Sequence, residues 1–458
     1  GSYSELENAL SRAVEKGRSF NGPSLIVAKV PRLGPHSSSD DPKKYQKESD
    51  FQKDQARDPL PRFENDLIDL GAISQEQITE LKNKVKEDIG KAAREAENIP
   101  FQEASRVLDH VFKKCELKQE LDVAPERGES IVIMDAINHA LAEEMENDPG
   151  VIIFGQDVAG GKGGVFGITR GLTDAYGEKR CFNTPLAEST IIGTAIGISL
   201  HSTFKPVVEI QFSDYMWTGV NQLFNQLATF HYRSNGQWHC PIVIRMPSGG
   251  YIQGGPYHSQ SVEAFLCHMP GLKVVMPSNA ADAKMLLKSA IRDVNPVIFL
   301  EHKALYRQRT FSAKPEPTKD ELLPIGVASR VKEGTDLTVV CWGLMVHMVS
   351  EVVSKLDSEG VSVEIIDLRT LSPIDMETIL VSIKKTSKLL IVHEAPLTCG
   401  LGAEIAACVA EKGFDVLDAP VKRLGALNTC VPYAKHLEEA VLPQKEDILQ
   451  AIKTLAHY

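Results

Sequence analysis

Glu188 ends the segment Cys181-Phe182-Asn183-Thr184-Pro185-Leu186-Ala187-Glu188, and the residues that follow, Ser189 to Ile198, are almost all small or apolar. A carboxylate at the mouth of such a stretch is expected to be desolvated, which raises its pKa. A proton held near neutral pH is what general acid–base chemistry requires. The alternative is a Glu that caps the dipole of its own helix, and the local sequence leaves both open. Gln211 and Tyr215 fall at the end of a strand-like run and in the loop beyond it, where open α/β sheets gather their ligands. An interface Tyr and a loop Gln satisfying backbone groups are the plainer alternative. His258 follows the stretch Ser248-Gly249-Gly250-Tyr251-Ile252-Gln253-Gly254-Gly255, whose glycines permit tight turns and close backbone approach to a ligand. Gly160 to Gly164 is not a phosphate loop, because Lys162 is followed by glycine and not by Ser or Thr. Asp293, before the turn Val294-Asn295-Pro296, reads most simply as a helix cap.

These residues need a scaffold, and the hydrophobic pattern supplies one. Val151–Phe154, Val207–Ile210, Ile242–Ile244, Lys273–Met276 and Val297–Leu300 read as buried strands. Helical stretches are expected between them near Asp135–Met145, Ser189–Leu200, Val220–Tyr232 and Ala280–Ile291. Strands alternating with helices imply an α/β fold whose parallel sheet is covered on both faces. A Pro- and Lys-containing crossing with little periodicity follows at 306–330. The alternation resumes with Leu337–Cys341, Val363–Leu368 and Leu389–Val392, giving a smaller α/β domain over 331–458. The first 125 residues differ, being polar and mostly helical. Ile78, Leu81, Val85 and Ile89 mark an amphipathic helix in the charged run Glu76 to Glu97, with Ser74 and Gln77 as its capping box.

The net charge of −11 argues against nucleic acid and anionic membrane surfaces as partners. No apolar run approaches the roughly 20 residues that span a bilayer, and no N-terminal stretch has a secretory pattern. Eight scattered Cys without CxxC or zinc spacing suggest packing residues in a reducing cytoplasm. Gly1-Ser2 reads as a cloning remnant, so more sequence is expected upstream of Tyr3.

Thr184-Pro185-Leu186-Ala187-Glu188, then Glu209-Ile210-Gln211-Phe212-Ser213-Asp214-Tyr215, Tyr257-His258-Ser259-Gln260-Ser261 and His393-Glu394-Ala395-Pro396-Leu397-Thr398 occur in that order. Together they resemble the beta half of the thiamine diphosphate-dependent component of 2-oxoacid dehydrogenase complexes, most of all the branched-chain (2-oxoisovalerate) type. The resemblance runs from about Gly128 to the C-terminus. It implies a transketolase-like pyrimidine-binding domain over 126–305 and a transketolase-like C-terminal domain after the linker. Gly22-Pro23-Ser24-Leu25-Ile26-Val27 and Pro31-Arg32-Leu33-Gly34-Pro35-His36-Ser37 are similar to the C-terminal third of the alpha half, so 1–125 reads as the tail of an alpha-type domain fused to the beta half.

What the resemblance implies is specific. The cofactor would attack a keto carbon and store the electrons of decarboxylation. Glu188 would share a proton with its aminopyrimidine ring, with Leu186, Gln211 and Tyr215 beside that ring. His258 would hydrogen bond or pass a proton to the 2-oxo group. His36 and Arg32 would lie on a loop closing over the diphosphate, with Ser37 at a position phosphorylated in animal relatives. Asp293 matches a potassium ligand of branched-chain relatives. The family's Gly-Asp-Gly motif and downstream Asn, which hold Mg²⁺ and the diphosphate, have no match, so this chain alone is expected to be inactive. The expected partners are a second protomer, a 2-oxo acid and the lipoyl acyltransferase core of the complex. Pyruvate or acetoin as substrate, and a non-catalytic dimerisation and docking module, are the rival readings.

Overall fold

The computed structural model describes residues 2–115, 128–201 and 203–458, which divide into one compact unit ending at Ala104 and a second from Ser105 to Tyr458. The first unit is helical, with Tyr3–Arg18, Glu48–Gln55, Pro59–Asp69 and Gln75–Glu97 around a long extended stretch. The last of these starts at the expected box: the Ser74 hydroxyl accepts from the Gln77 N–H while the Gln77 side chain accepts from the Ser74 N–H. Tyr3 stacks on Phe63 at 4.5 Å between ring centroids.

The second unit is built on two large sheets, with a small antiparallel pair of Ser130–Ile131 and Lys314–Pro315 beside them. The larger has seven strands in the order Thr370–Ser372, Lys273–Val275, Val297–His302, Val243–Ser248, Lys205–Glu209, Val151–Gly155 and Cys181–Asn183. Every neighbour pair is parallel except the first, where Thr370 faces Val275 across an antiparallel edge. That edge strand comes from beyond the 306–330 crossing. The smaller sheet has five strands, ordered Lys422–Ala426, Leu389–Pro396, Leu337–Cys341, Val363–Asp367 and Ser329–Lys332, the last antiparallel.

Side chains alternate across these strands, as pleating requires. Ile153 and Val207 enter one core with the helices Ile133–Asn147, Ala280–Arg292 and Leu344–Leu356. Ile152, Phe154 and Val208 enter a second core with Glu188–Ser199, Met376–Thr386 and Leu401–Lys412. Each core draws residues from both sheets, so the two sheets are packed as one body. The helix expected over Val220–Tyr232 is not regular: a 3₁₀ turn at Ser213–Gly219 leads into a π-helical stretch at Asn221–Leu227 and a short helix at Phe230–Arg233. The short strand Cys181–Asn183, which delivers the chain to Glu188, was also not anticipated.

Some carboxyls are buried in this body without a cation. Glu263 is almost fully enclosed, and the Trp342 indole N–H donates to its Oε1 at 3.4 Å. Burial, with a further push from Glu394, raises its pKa to about 7. The unfolded chain ionises this group near 4.5, so the folded state binds the extra proton between those values and its stability falls as pH rises through the window. Glu263→Gln should therefore gain on the parent protein by about 3 kcal/mol between pH 5 and pH 8. Urea denaturation at both pH values checks this, and a variant-minus-parent difference that does not change with pH would refute it.

Candidate active site

Apart from Asp293, the candidate residues of the second unit collect at the carboxyl ends of the parallel strands. Gln156 and Asp157 follow Val151–Gly155, Glu188 follows Cys181–Asn183, Gln211 to Tyr215 follow Lys205–Glu209, and the His258 loop follows Val243–Ser248. Glu188 is the first residue of the helix Glu188–Ser199. Its carboxylate is not spent on its own helix. Oε1 accepts from Gln156 Nε2 at 3.0 Å and Oε2 from Thr218 Oγ1 at 2.9 Å. The Ser189 hydroxyl donates to the Thr218 carbonyl and fixes that turn against the helix start. The helix N-terminus also favours the negative charge.

Glu188 is half-buried. The apolar helix does not surround it, because Ile191, Ile192, Ala195 and Ile196 point into the core while the first turn sits at the rim. The dry setting expected from the apolar run is thus built on one side only by the described residues.

Beside the carboxylate stands an aromatic wall. A 2.7 Å hydrogen bond joins Tyr215 Oη and His258 Nε2. Phe212 packs edge-on against both rings, 5.4 Å from Tyr215 and 4.7 Å from His258. Burial, with the charges of Asp214 and Glu188, pushes the Tyr215 phenol up, so it keeps its proton at neutral pH and can donate to the imidazole. Gln211 turns the other way: its Nε2 donates to Asp157 Oδ2 at 3.1 Å. Lys162 also donates to that oxygen, and the Gly164 N–H donates to the Asp157 carbonyl. The glycine-rich segment from Gly160 to Gly164 therefore folds onto Asp157, which Lys162 holds below the usual carboxylate range. Leu186 is 79% exposed on the approach to Glu188.

Sequence reasoning missed Gln156, Thr218 and Lys303. Lys303 directly follows the strand Val297–His302, is buried, and its ammonium has no hydrogen-bond partner among the described residues. It lies 5.6 Å from the Phe212 ring centroid, and burial lowers its pKa to about 8. A strongly perturbed lysine behind an aromatic wall is the kind of signal a sequence does not print.

Arg32 and His36 belong to the first unit, on an exposed loop organised by Asp40. Asp40 Oδ2 accepts from the His36 N–H and from Tyr45 Oη, both at 2.7 Å, and Arg32 donates to the same phenol. Ser37 is exposed and hydrogen bonds to Ser39. Asp293 is buried at the end of the helix Ala280–Arg292. Its Oδ2 carries the Lys273 ammonium at 2.5 Å, and its Oδ1 accepts from the backbone and side chain of Asn295. Protein donors occupy both oxygens, so this carboxylate does not fit a potassium ion.

The ring that the resemblance implies asks for a carboxylate and an aromatic wall, and Glu188 and the Tyr215–His258 pair supply those two groups. The diphosphate and its magnesium need further ligands, and among the described residues no three acidic, His or Cys side chains converge on a metal position.

Comparison with known proteins agrees with this division. The family "Transketolase, pyrimidine binding domain" matches residues 129–309, "Transketolase, C-terminal domain" matches 326–448, and "Dehydrogenase E1 component" matches 4–105. A mitochondrial 2-oxoisovalerate dehydrogenase subunit beta 2 of Arabidopsis thaliana is 45% identical over 73% of this chain and 91% of its own length. The 2-oxoisovalerate dehydrogenase subunit beta of Bacillus subtilis is 44% identical over 71% and 98%. The pyruvate dehydrogenase E1 component subunit beta of Acholeplasma laidlawii is 46% identical over the same shares. A solved chain described as a split gene transketolase, inactive beta4 tetramer, shares the fold with a TM-score of 0.58 at 21% identity, covering 72% of this chain and 99% of that one. With the strand-end carboxylate, its aromatic wall and these relatives in agreement, the chain belongs to the thiamine diphosphate-dependent 2-oxoacid dehydrogenase components, joining a dehydrogenase E1 segment to a full beta-type half.

Proposed function

We propose that the chain supplies the ring-binding half of a branched-chain 2-oxoacid (2-oxoisovalerate) dehydrogenase, which decarboxylates the 2-oxo acid and passes the acyl group to a lipoyl arm of an acyltransferase core. The observation that carries this reading is Glu188, pinned between Gln156 and Thr218 beside the Tyr215–His258 pair. Thiamine diphosphate, when bound, supplies the nucleophilic carbon and the electron sink. Glu188 would hold a proton at a ring nitrogen of the bound cofactor, and Tyr215 and Leu186 would line that ring, while Gln211 fixes the loop through Asp157. His258, supported by the Tyr215 phenol, hydrogen bonds or passes a proton at the keto oxygen. Arg32 and His36 are assigned to the loop that would cover the diphosphate.

The same wall supports a homodimer. Trp217, Tyr257 and Phe265 lie exposed around the site, with Trp217 and Phe265 in edge contact at 4.9 Å. An apolar rim of this kind marks a protein interface, and a partner there would complete the drying of Glu188. No described helix is long and apolar enough to cross a membrane, and eight unpaired cysteines support a reducing cytoplasm.

Pyruvate is the second substrate reading, because the relatives that act on it are as similar as the 2-oxoisovalerate ones. Calorimetry with thiamine diphosphate and Mg²⁺ should give little heat with this chain alone and tight binding once a diphosphate-binding half is supplied. The assembled enzyme should then prefer 3-methyl-2-oxobutanoate to pyruvate by at least ~10-fold in kcat/KM, a gap that contacts to two extra methyl groups can supply. A preference for pyruvate would overturn the branched-chain assignment, and turnover of neither would overturn the whole reading.

A further inference from the structure

The loop that carries His258 is held from its own domain, where Asp214 Oδ1 accepts from the Gln260 N–H at 2.9 Å, and also from outside it. It leaves the strand Val243–Ser248, and Glu394, from the strand Leu389–Pro396 of the other sheet, reaches across to it. Glu394 Oε1 accepts from the Gly250 N–H and from the Ser261 hydroxyl at 3.3 Å, while Oε2 meets His302 Nε2 at 2.6 Å. Burial alone would raise this carboxyl, but the His302 ring and the Gly250 N–H outweigh burial and keep it below the usual carboxylate range. Further along, both oxygens of Glu438 accept from the Gln253 N–H, at 3.2 and 3.1 Å. Tyr251 Oη donates to the Pro443 carbonyl at 2.7 Å.

Two glycines make this fit. At Gly249, with φ +85°, a Cβ would lie 2.5 Å from His302 Nε2 and 3.1 Å from Glu394 Oε1. At Gly255, with φ +67°, a Cβ would lie 2.5 Å from the Tyr433 ring. Glu394 and Glu438 are each more than nine-tenths buried, a costly arrangement unless their acceptors are needed where they are. The C-terminal-domain anchors stop at Gly255 on one side and Ser261 on the other; between them only the loop's own domain holds the chain, Asp214 Oδ1 accepting from the Gln260 N–H at 2.9 Å and His258 meeting Tyr215.

We propose that Glu394 and Glu438 are positioning residues, and that the C-terminal domain sets the Tyr215–His258 geometry by clamping both arms of this loop. The role matters only if His258 serves the chemistry assigned above, so the first readout is independent of turnover. In the chain labelled with ¹⁵N-histidine, Glu438→Leu should shift the His258 Nε2 resonance and loosen its bond to Tyr215. Glu438→Gln, which keeps an acceptor for the Gln253 N–H, should restore the parent signal. In the assembled enzyme Glu438→Leu should lower kcat by ~10²-fold with KM little changed, since misplacing a reacting group by about 1 Å costs that much, and Glu438→Gln should recover most of the loss. Glu394→Gln should act in the same direction, and Tyr251→Phe provides a milder probe should that variant fail to fold. An unmoved His258 resonance in Glu438→Leu and Tyr251→Phe would overturn the proposal and leave the two carboxylates as interface cement. His258→Ala with full turnover would instead sink the function given to His258 while the clamp stands.

Discussion

Glu188→Gln is expected to lower 2-oxo acid turnover in the assembled dehydrogenase by ~10²- to 10⁴-fold, the usual reach of a positioned acid–base group. The amide keeps a carbonyl oxygen for one of the donors Gln156 and Thr218 but cannot give or take the proton. The substitution lies at the half-buried start of a helix whose apolar contacts begin one turn later, so unfolding free energy should change by less than about 1 kcal/mol. Cofactor binding should weaken far less than turnover, because most ring contacts survive. The decisive measurement is single-turnover decarboxylation with saturating thiamine diphosphate. Parent rates in the Gln variant would strip Glu188 of its acid–base role.

The second large effect concerns stability. Arg245 is fully enclosed in the middle of the seven-stranded sheet. Its Nε and Nη2 donate to the two oxygens of Glu301 at 2.7 and 3.0 Å, and its Nη1 donates to Glu209 Oε2 at 2.9 Å. Tyr306 Oη donates to Glu301 as well. One guanidinium thus serves two carboxylates, and burial leaves Glu209 raised to about 7. Arg245→Met should cost roughly 3–5 kcal/mol, because it strands two buried acids without a cation. The loss should be smaller at pH 5.5, where Glu209, raised to about 7, takes up a proton, and smaller again when Glu209→Gln and Glu301→Gln are added. Denaturant titration at pH 5.5 and 7.5 separates these cases, and an Arg245→Met protein as stable as the parent at both would exclude the network from the fold's support.

Much of the scaffold was legible because its signals are local. Runs such as Val151–Phe154 and Val297–Leu300 are β-branched and bounded by polar turns, and they appear as strands with one or two residues added. The helix expected from Ser74 begins at Gln75 because the cap that starts it lies within four residues of sequence. The irregular stretch from Ser213 to Arg233 was not legible. Its 3₁₀ and π turns answer to packing around Met216, Leu223 and Leu227, and composition does not encode that register. In the site, Glu188, Tyr215 and His258 stood out by type and context. Gln156 and Thr218 did not, since each is an ordinary residue about 30 positions from the acid it holds. Lys303 was hidden for another reason: a lysine next to a strand end reads as exposed until tertiary structure encloses it.

The edge strand Thr370–Ser372 has a practical consequence. Because it zips onto Lys273–Val275, the two family segments are sewn together by backbone and not merely apposed. Swivelling of the C-terminal lobe would tear these main-chain bonds. Exchanging that lobe between relatives must carry this three-residue stitch along, or leave a naked, adhesive margin on the sheet.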